Sequence, residues 1–333
     1  MKLQGKNIVI TGGGGCIGKT IAKTCLVEGA YVILIGINKD EMFDFPFILA
    51  DVSKELEIKN AFKTIYQKLE NIDVLINAAG IQTPIGPFDT NELDLWKKNI
   101  EVNLLGTINT THQVVQQMKS LKAGKIINFS GGGATGPREN FSAYAAAKSA
   151  VVRFTETLAQ ELKPHNVDVN AIAPGAVNSQ MLEDVLTNKD LAGKEYEDAL
   201  KRKNAGGTDP QLAANLIVFL ASSESNGITG KLISAPWDPW ENKNFQDRLK
   251  TENDLASLRR IDNKYFFQQK PKTGVAIIGC GLIGKKRAQA ITTDDQIVAC
   301  CDVNEMIAQQ FSSDFSCAHY TDYKKLLSEI SCE

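Results

Sequence analysis

Short apolar runs alternate with longer segments of helical periodicity over residues 1–235 of this chain. The apolar runs are continuous, which is typical of strands covered on both faces. This order predicts parallel β-α-β units, and therefore a doubly wound α/β fold with helices on both sides of one sheet. Strands are predicted at residues 7–11, 31–35, 74–77, 125–129 and 167–172, and helices at 17–28, 58–69, 93–120, 142–162 and 212–221.

The alternation stops at residues 236–240, which read Pro-Trp-Asp-Pro-Trp, and a charged segment follows over 241–272. A strand (274–278), a glycine-rich turn, a helix (285–291) and a second strand (297–301) then start the pattern again. We therefore predict a first domain over 1–240, a tail and linker over 241–272, and a second, incomplete nucleotide-fold segment over 273–333.

Composition narrows the class of partner. The 333 residues suffice for two domains, and 37 basic against 39 acidic side chains give a net charge of −2, which favours neither nucleic acid nor an anionic membrane. The amino terminus runs directly into a strand, and no apolar run reaches the roughly 18–20 residues of a membrane span, so we expect a cytoplasmic protein. The seven cysteines form no C-x-x-C pair, so we interpret them as reduced apolar residues and expect no metal.

The first strand leads into a glycine-rich turn, Gly12-Gly13-Gly14-Gly15-Cys16-Ile17-Gly18, which opens the first predicted helix. Such a turn lets the backbone approach a pyrophosphate, whose charge then meets the helix amino terminus.

Tyr144 and Lys148 are four residues apart on a predicted helix and therefore share a face. Ionising a phenol, with a pKa of roughly 10, near neutrality requires a decrease of about three units, worth about 4 kcal/mol. One exposed ion pair supplies only ~0–1 kcal/mol. The pair therefore needs a pocket with further positive charge, which an oxidised nicotinamide ring would provide.

A set of motifs occurs in order along the chain: the turn, Asp51-Val52, Asn77-Ala78-Ala79-Gly80, Asn103, Tyr144/Lys148 and Pro174-Gly175. With this set, the chain resembles the classical short-chain dehydrogenase/reductase family over about residues 3–235. The resemblance implies that Tyr144 is the general acid/base and that Lys148 lowers its pKa and holds the nicotinamide ribose. It implies that Asn103 holds a proton-relay water, although a structural amide in a kinked helix is the alternative. The implied cofactor-binding residues are Gly12, Gly15, Ile17, Gly18, Asp51, Val52, Asn77, Ala78, Ala79, Gly80, Pro174, Gly175 and Val177. Ser179 is either a hydroxyl near the carboxamide or a plain loop serine.

Three positions depart from the family pattern. The catalytic serine of the family aligns with Gly131, so either Ser130 takes its role or backbone N–H groups polarise the substrate oxygen. Cys16 replaces the middle glycine of the turn, although Gly13-x-Gly15-x-x-Gly18 still supplies small residues. Gly36 lacks both the acidic side chain of NAD enzymes and a neighbouring arginine for NADP. We expect NAD or NADP and favour NAD, with Lys39 as the nearby cation that could favour NADP.

The second glycine-rich turn, Gly279-x-Gly281-x-x-Gly284, lies between a strand and a helix, and Asp302 closes the next strand. It resembles the opening of the glucose-fructose/inositol dehydrogenase (Gfo/Idh/MocA) family. The sequence covers about half of such a fold, so we expect this segment to add no turnover and little dinucleotide affinity.

These features predict an NAD(P)-dependent oxidoreductase that transfers a hydride between nicotinamide and a secondary alcohol or ketone. The second motif favours a sugar, sugar nucleotide or cyclitol as the small-molecule substrate, by association only. Alternatives are a 3-oxoacyl reductase and a catalytically impaired dinucleotide-binding scaffold or sensor. The resemblance also predicts a homo-oligomer formed through helices 93–120 and 142–162. On the second helix, Val151, Val152 and Phe154 are apolar residues in excess of what one sheet face covers.

Overall fold

The computed structural model describes residues 1–40, 44–260, 273–291 and 295–330. It divides into two compact units, Met1–Arg259 and Arg260–Glu333. The first unit contains one seven-stranded sheet in the order β3-β2-β1-β4-β5-β6-β7, in which every pairing is parallel. Its strands are β1 Asn7–Thr11, β2 Tyr31–Gly36, β3 Phe47–Leu49, β4 Val74–Asn77, β5 Gly124–Phe129, β6 Val167–Ala173 and β7 Leu232–Ser234.

Helices cover both faces of this sheet, as the continuous apolar strands predicted. They are α1 Cys16–Val27, α2 Glu55–Tyr66, α3 Leu93–Ile100, α4 Gly106–Leu121, α5 Ser142–Leu162, α6 Gln180–Thr187, α7 Lys189–Ala192, α8 Lys194–Asn204, α9 Pro210–Ala221 and α10 Lys243–Thr251. Alternate residues of β1 point to opposite cores: Ile8 and Ile10 pack with α1 and α9, whereas Val9 packs with α2, α4 and α5. The doubly wound fold is confirmed.

The predicted helix over 93–120 is interrupted. A π-helical turn, Glu101–Leu105, separates α3 from α4 and contains Asn103. The side-chain nitrogen of Asn103 donates 3.1 Å to the main-chain carbonyl of Asn99. In a regular α-helix this carbonyl would accept from the backbone N–H of Asn103 instead. Local π turns of this kind are frequent at functional sites.

The predicted tail and linker over 241–272 differs from the structure in its first part. Residues 241–259 belong to the first unit and contain α10. Trp240 and Leu249 are buried in the core, and the Trp240 ring lies 5.9 Å from that of Phe219. The charged composition of this segment did not predict a packed helix. Its apolar residues Phe245 and Leu249 are nevertheless four apart and share one helix face. Residues 261–272 lie outside the described residues.

Two of the apolar residues on which the oligomer prediction relied are covered within the chain. Val151 and Val152 are fully buried, and Phe154 packs against the core. Val152 contacts Ala134 and Ala171, with Leu258 of the segment after α10 packed on the same cluster. For Val151 and Val152 the apolar excess inferred for α5 was wrong, because both are buried within the single chain; at Val152, Leu258 adds cover that the sequence pattern did not predict.

The second unit has a three-stranded parallel sheet in the order β10-β9-β8. Its elements are β8 Thr273–Ile278, α11 Leu282–Gln289, β9 Asp295–Cys301, α12 Glu305–Phe315, β10 Ala318–Tyr320 and α13 Tyr323–Glu329. Across the described parts of both units, every helix is too short or too polar to cross a bilayer.

Candidate active site

Tyr144 and Lys148 lie on one face of α5, as the spacing predicted, and both are buried. The Lys148 ammonium donates 2.9 Å to the main-chain carbonyl of Phe129, the last residue of β5. Its nitrogen is 5.6 Å from the centre of the Tyr144 ring. The structure therefore brings together the two side chains on which the predicted proton transfer depends.

Burial shifts both groups away from the charged state. It lowers the pKa of Lys148 to about 8, because the ammonium loses its hydration. It also raises the pKa of Tyr144, which the positive charge of Arg138 opposes. The protein alone thus leaves the phenol neutral, so further positive charge in the cleft is needed to ionise it. An oxidised nicotinamide has that charge.

Asn103 extends its amide group toward the loop after β4. Its nitrogen donates 2.7 Å to the carbonyl oxygen of Ile81 and 2.7 Å to the side-chain oxygen of Asn99. A Cβ atom at Gly80 would lie 2.7 Å from the Asn103 oxygen and 3.4 Å from the Lys148 nitrogen. Gly80 thus lets the loop, Asn103 and Lys148 meet. These contacts fit the role of a structural amide in an interrupted helix. They also place the amide beside Lys148, and its role in holding a proton-relay water stays a prediction.

Asn99 is a second buried amide that the sequence analysis did not single out. Its nitrogen donates 2.7 Å to the carbonyl of Thr83, and it holds Asn103 from one turn earlier in α3. Its spacing of four residues from Asn103 was the available signal.

Ser130 and Gly131 follow β5 at the wall of a cavity that also contains Tyr144. The Ser130 hydroxyl is buried and has no hydrogen-bond partner among the described residues. A Cβ atom at Gly131 would lie 2.2 Å from the Tyr144 hydroxyl oxygen. The position aligned with the family's serine is therefore occupied by the tyrosine itself, and Ser130 is the adjacent hydroxyl.

The glycine-rich turn is closely packed at several positions. Gly12 has φ +70°, and a Cβ atom there would lie 2.7 Å from the nitrogen of Ala79. A Cβ atom at Gly18 would lie 2.4 Å from the Gly12 oxygen, and one at Gly14 would lie 2.2 Å from the Asn38 carbonyl oxygen. Gly15 has only ordinary contact, 3.4 Å from the Gly12 oxygen. This backbone-lined cradle ahead of α1 fits a dinucleotide pyrophosphate.

The predicted adenosine-side residues have two kinds of surroundings. The Asp51 carboxylate accepts hydrogen bonds from the backbone and hydroxyl of Ser53, at 2.9 and 2.8 Å. Burial opposes its ionisation, but these bonds and the charge of Lys98 outweigh burial and hold the Asp51 pKa below its usual value. Val52 packs against Gly106, where a Cβ atom would lie 2.6 Å from the valine side chain.

Asn77 is fully engaged inside the protein. Its nitrogen donates to Asn128 at 2.9 Å, and its oxygen accepts from Thr110 at 2.7 Å, which links β4, β5 and α4. These hydrogen bonds fix the end of β4, where the loop of Ala78, Ala79 and Gly80 begins. The Ala79 nitrogen donates 3.3 Å to the hydroxyl of Thr11 at the end of β1.

The cavity beside Tyr144 has a volume of about 370 Å³. Pro174, Gly175, Val177 and Ser179 line it from the loop after β6, and Ile17 lines it from α1. Five further side chains line the cavity, and no motif of the sequence pointed to them. These are Gln82, Arg138, Glu195, Arg202 and Trp237.

The second unit forms its own glycine-rich turn. Gly279 has φ +89°, and a Cβ atom at Gly284 would lie 2.0 Å from the Gly279 oxygen. The Asp302 carboxylate accepts hydrogen bonds from the backbone nitrogens of Cys280 and Asn304, at 2.8 and 2.9 Å. Asp302 thus holds the turn in place. Gly281 has open space where a side chain would be.

Comparison with known proteins agrees with this geometry. Residues 273–333 match the family model described as an oxidoreductase family with an NAD-binding Rossmann fold. A 3-oxoacyl-(acyl-carrier-protein) reductase of Thermotoga maritima is 35% identical over 70% of this chain and 97% of its own length. An NAD-dependent glycerol dehydrogenase of Listeria innocua is 32% identical over 68% and 90%. The ligand-free aldohexose dehydrogenase of Thermoplasma acidophilum superposes with a TM-score of 0.64 at 26% identity, over 70% and 92%.

Residues 6–190 match the short chain dehydrogenase model, which covers more than half of the chain and includes the glycine-rich turn, Asn103, Tyr144 and Lys148. With the curated relatives and the fold, this match shows that the chain belongs to the short-chain dehydrogenase/reductase family.

Proposed function

We propose that this NAD(P)-dependent short-chain dehydrogenase/reductase interconverts a secondary alcohol and a ketone on a polyhydroxylated substrate, that is, a sugar, sugar nucleotide or cyclitol. The observation that carries this proposal is the set of polar side chains that line the cavity together with Tyr144. It comprises charged and hydrogen-bonding side chains, Gln82, Arg138, Glu195 and Arg202, together with the exposed indole of Trp237. Such groups suit hydroxyl groups and the flat apolar face of a sugar ring better than an alkyl chain.

The cofactor supplies the hydride when bound, and the chain's own residues handle the proton. Tyr144 receives the proton of the substrate hydroxyl during oxidation and returns it during reduction. Lys148 stabilises the phenolate from the same face of α5. Ser130, or backbone N–H groups of the loop that follows it, polarises the substrate oxygen. Gly12, Gly14 and Gly18 form the cradle for the pyrophosphate.

NAD is the proposed cofactor. At the end of β2, Gly36 carries no side chain and Asp40 pairs with Lys19 of α1. An acidic group near this strand end suits free ribose hydroxyls better than a 2′-phosphate.

A homo-oligomer is proposed on α3 and the π-helical turn. Leu93, Leu95 and Leu105 are 59%, 49% and 44% exposed in the single chain. A second copy of the chain packed on this segment would cover these apolar side chains, which one subunit leaves exposed.

Reduction of a 3-oxoacyl substrate is the second candidate, favoured by the Thermotoga maritima relative. The two arginines and the glutamate of the cavity wall weigh against it. A non-catalytic dinucleotide sensor is the third, but Tyr144 and Lys148 are both present and buried together.

The test is a panel of alcohols and ketones, including sugars, polyols and a 3-oxoacyl thioester, followed by absorbance of the reduced cofactor. We expect turnover of at least one polyhydroxylated compound and a decrease in kcat of about 10²–10⁴-fold in Tyr144→Phe. Cofactor affinity should change little, because the substitution removes only the transferable proton. Preferred turnover of the thioester would overturn the substrate class, and cofactor binding without any turnover would support the sensor.

A further inference from the structure

The wall of the cavity contains two guanidinium groups that share one carboxylate. Arg138 donates 2.9 Å to the Oε2 atom of Glu195, and Arg202 donates to the same oxygen at 3.3 Å. By contrast, Arg248 binds both oxygens of Glu252 on the surface, at 2.7 and 3.1 Å. Arg138 and Arg202, called the arginine pair below, thus each bind a single oxygen of Glu195. Neither makes the two parallel hydrogen bonds to a carboxylate that arginine prefers, so each guanidinium keeps further donors for a ligand.

Arg138 is held in place independently of Glu195. Its guanidinium lies 3.7 Å from the centre of the buried Phe141 ring and 5.8 Å from the centre of the Tyr144 ring. Its side chain is only 14% exposed. Stacking on an aromatic face fixes the plane of the guanidinium, so this positive charge stays beside the reacting tyrosine.

Arg202 has a donor left over. Its Nε–H is buried and has no hydrogen-bond partner among the described residues. A buried polar group without a partner destabilises the fold, and more so when it is charged. Such a cost is reasonable where a ligand supplies the missing acceptor.

The charge of the wall is not balanced. Among the described residues that line the cavity, Arg138, Glu195 and Arg202 are the ionisable side chains besides Tyr144. Burial opposes ionisation of Glu195, but the hydrogen bonds and charges of the arginine pair outweigh it and keep the Glu195 pKa below its usual value. The carboxylate is therefore charged near neutral pH and offsets only one of the two cations.

We propose that Arg138 and Arg202 bind an anionic group of the substrate, a carboxylate or a phosphate carried by the polyhydroxylated compound that reacts at Tyr144. The inference rests on the proposed function and narrows its substrate class to acidic sugars or polyols. Arginine presents paired N–H donors that match both anions, and Glu195 holds the two guanidinium groups at a common point.

The test measures binding separately from turnover. Gluconate, glucose 6-phosphate and glucose are titrated into the NAD-bound protein and followed by tryptophan fluorescence, with Trp237→Phe identifying the signal of the cavity. We expect at least one of the two anions to bind more than about tenfold more tightly than glucose, a difference of about 1.4 kcal/mol. Their relative affinities distinguish carboxylate from phosphate.

Arg202→Gln should remove this preference, so that in the variant gluconate and glucose 6-phosphate bind no more tightly than glucose does. The matched control is Lys203→Gln, which removes the next cation of α8; Lys203 pairs with Glu183 and is 46% exposed. Equal affinity for glucose and the anions in the unsubstituted protein would overturn the inference. A preference for the anions that survives in Arg202→Gln would also overturn it. So would the absence of saturable binding of either anion at concentrations well above ~1 mM, the upper end of the usual KM range.

Failure of the two proposals gives different results. Turnover of neutral sugars with no preference for anions would overturn the anion site and keep the proposed function. Tight, Arg202-dependent binding of an acidic sugar without any hydride transfer to or from it would instead overturn the proposed function.

Discussion

The Tyr144 hydroxyl lies so close to the backbone of Gly131 that a Cβ atom on Gly131 would be 2.2 Å from it. Any side chain at this position must displace the tyrosine. The glycine is therefore part of the geometry that positions the phenol, and it explains the departure from the serine that the family pattern places here.

Gly131→Ala is expected to decrease kcat by about 10²-fold, because a displacement of about 1 Å from the reactive geometry has an effect of this size. Cofactor affinity should be nearly unchanged. Gly132→Ala is the control, since its added methyl would lie 3.7 Å from the nearest atom, in Arg138, which is ordinary contact. Steady-state kinetics and cofactor titrations of both variants check this, and unchanged turnover in Gly131→Ala would contradict the geometry.

Ser130→Ala tests the adjacent hydroxyl. If Ser130 polarises the substrate oxygen, its loss should decrease kcat by about 10²–10³-fold. The free energy of unfolding should stay the same or rise, because the substitution removes a hydroxyl that is buried without a partner.

Ser225→Ala is the control for Ser130→Ala, because it should change the free energy of unfolding and not kcat. The Ser225 hydroxyl donates 2.9 Å to the carbonyl of Leu220, away from the cavity. Its removal should destabilise the fold by about 1 kcal/mol and leave kcat alone. If Ser130→Ala also left kcat unchanged, the role would pass to backbone donors.

Sequence predicted the fold of the first unit well because the strands are continuous apolar runs and the connecting helices have clear periodicity. Asn103, Tyr144 and Lys148 could be located because their spacing is tied to that regular framework. The sequence could not predict that Arg138, on the loop after β5, comes together with Glu195 and Arg202, which share one face of α8. This depends on how α6, α7 and α8 fold back over the site, and the spacing of apolar residues within each helix does not determine that tertiary arrangement.

The same limit applied to α10 and to Gly14. The packing of Leu249 against the core is set by tertiary contact, which overrides a charged composition. Likewise, the close approach of the Asn38 carbonyl to Gly14 joins two turns that lie far apart in sequence.

Gly14→Ala is expected to weaken cofactor binding by about 10–100-fold. The added methyl would lie 2.2 Å from the main-chain oxygen of Asn38, so the backbone must move, and overpacking of this kind costs about 1–3 kcal/mol. Gly136→Ala, which lies outside the turn and adds a methyl with nothing within 4 Å, should bind nearly as well as the unsubstituted protein. Fluorescence titration with the reduced cofactor measures both, and equal affinities would contradict the role assigned to the Gly14 contact.

The burial of Lys148 predicts a dependence of stability on pH. Burial lowers its pKa from 10.5 in the unfolded chain to about 8 in the folded one, so between these values the unfolded state binds the extra proton. The free energy of unfolding contributed by Lys148 therefore rises as pH increases from about 8 to 10.5, and below about 8 the full cost of the buried charge applies. The change amounts to about 3 kcal/mol.

Lys148→Met removes the titrating group and keeps most of the side-chain volume. The variant should be more stable than the unsubstituted protein near pH 7, and this advantage should shrink by about 3 kcal/mol as the pH approaches 10.5. Urea unfolding of both proteins at several pH values measures the difference, in which the titration of groups remote from Lys148 cancels. Lys163→Met, on the exposed turn after α5, is the control and should show no such trend. A constant difference between Lys148→Met and the unsubstituted protein would mean that Lys148 retains an ordinary pKa in the folded chain, and that the lysine acts on Tyr144 from a solvated position.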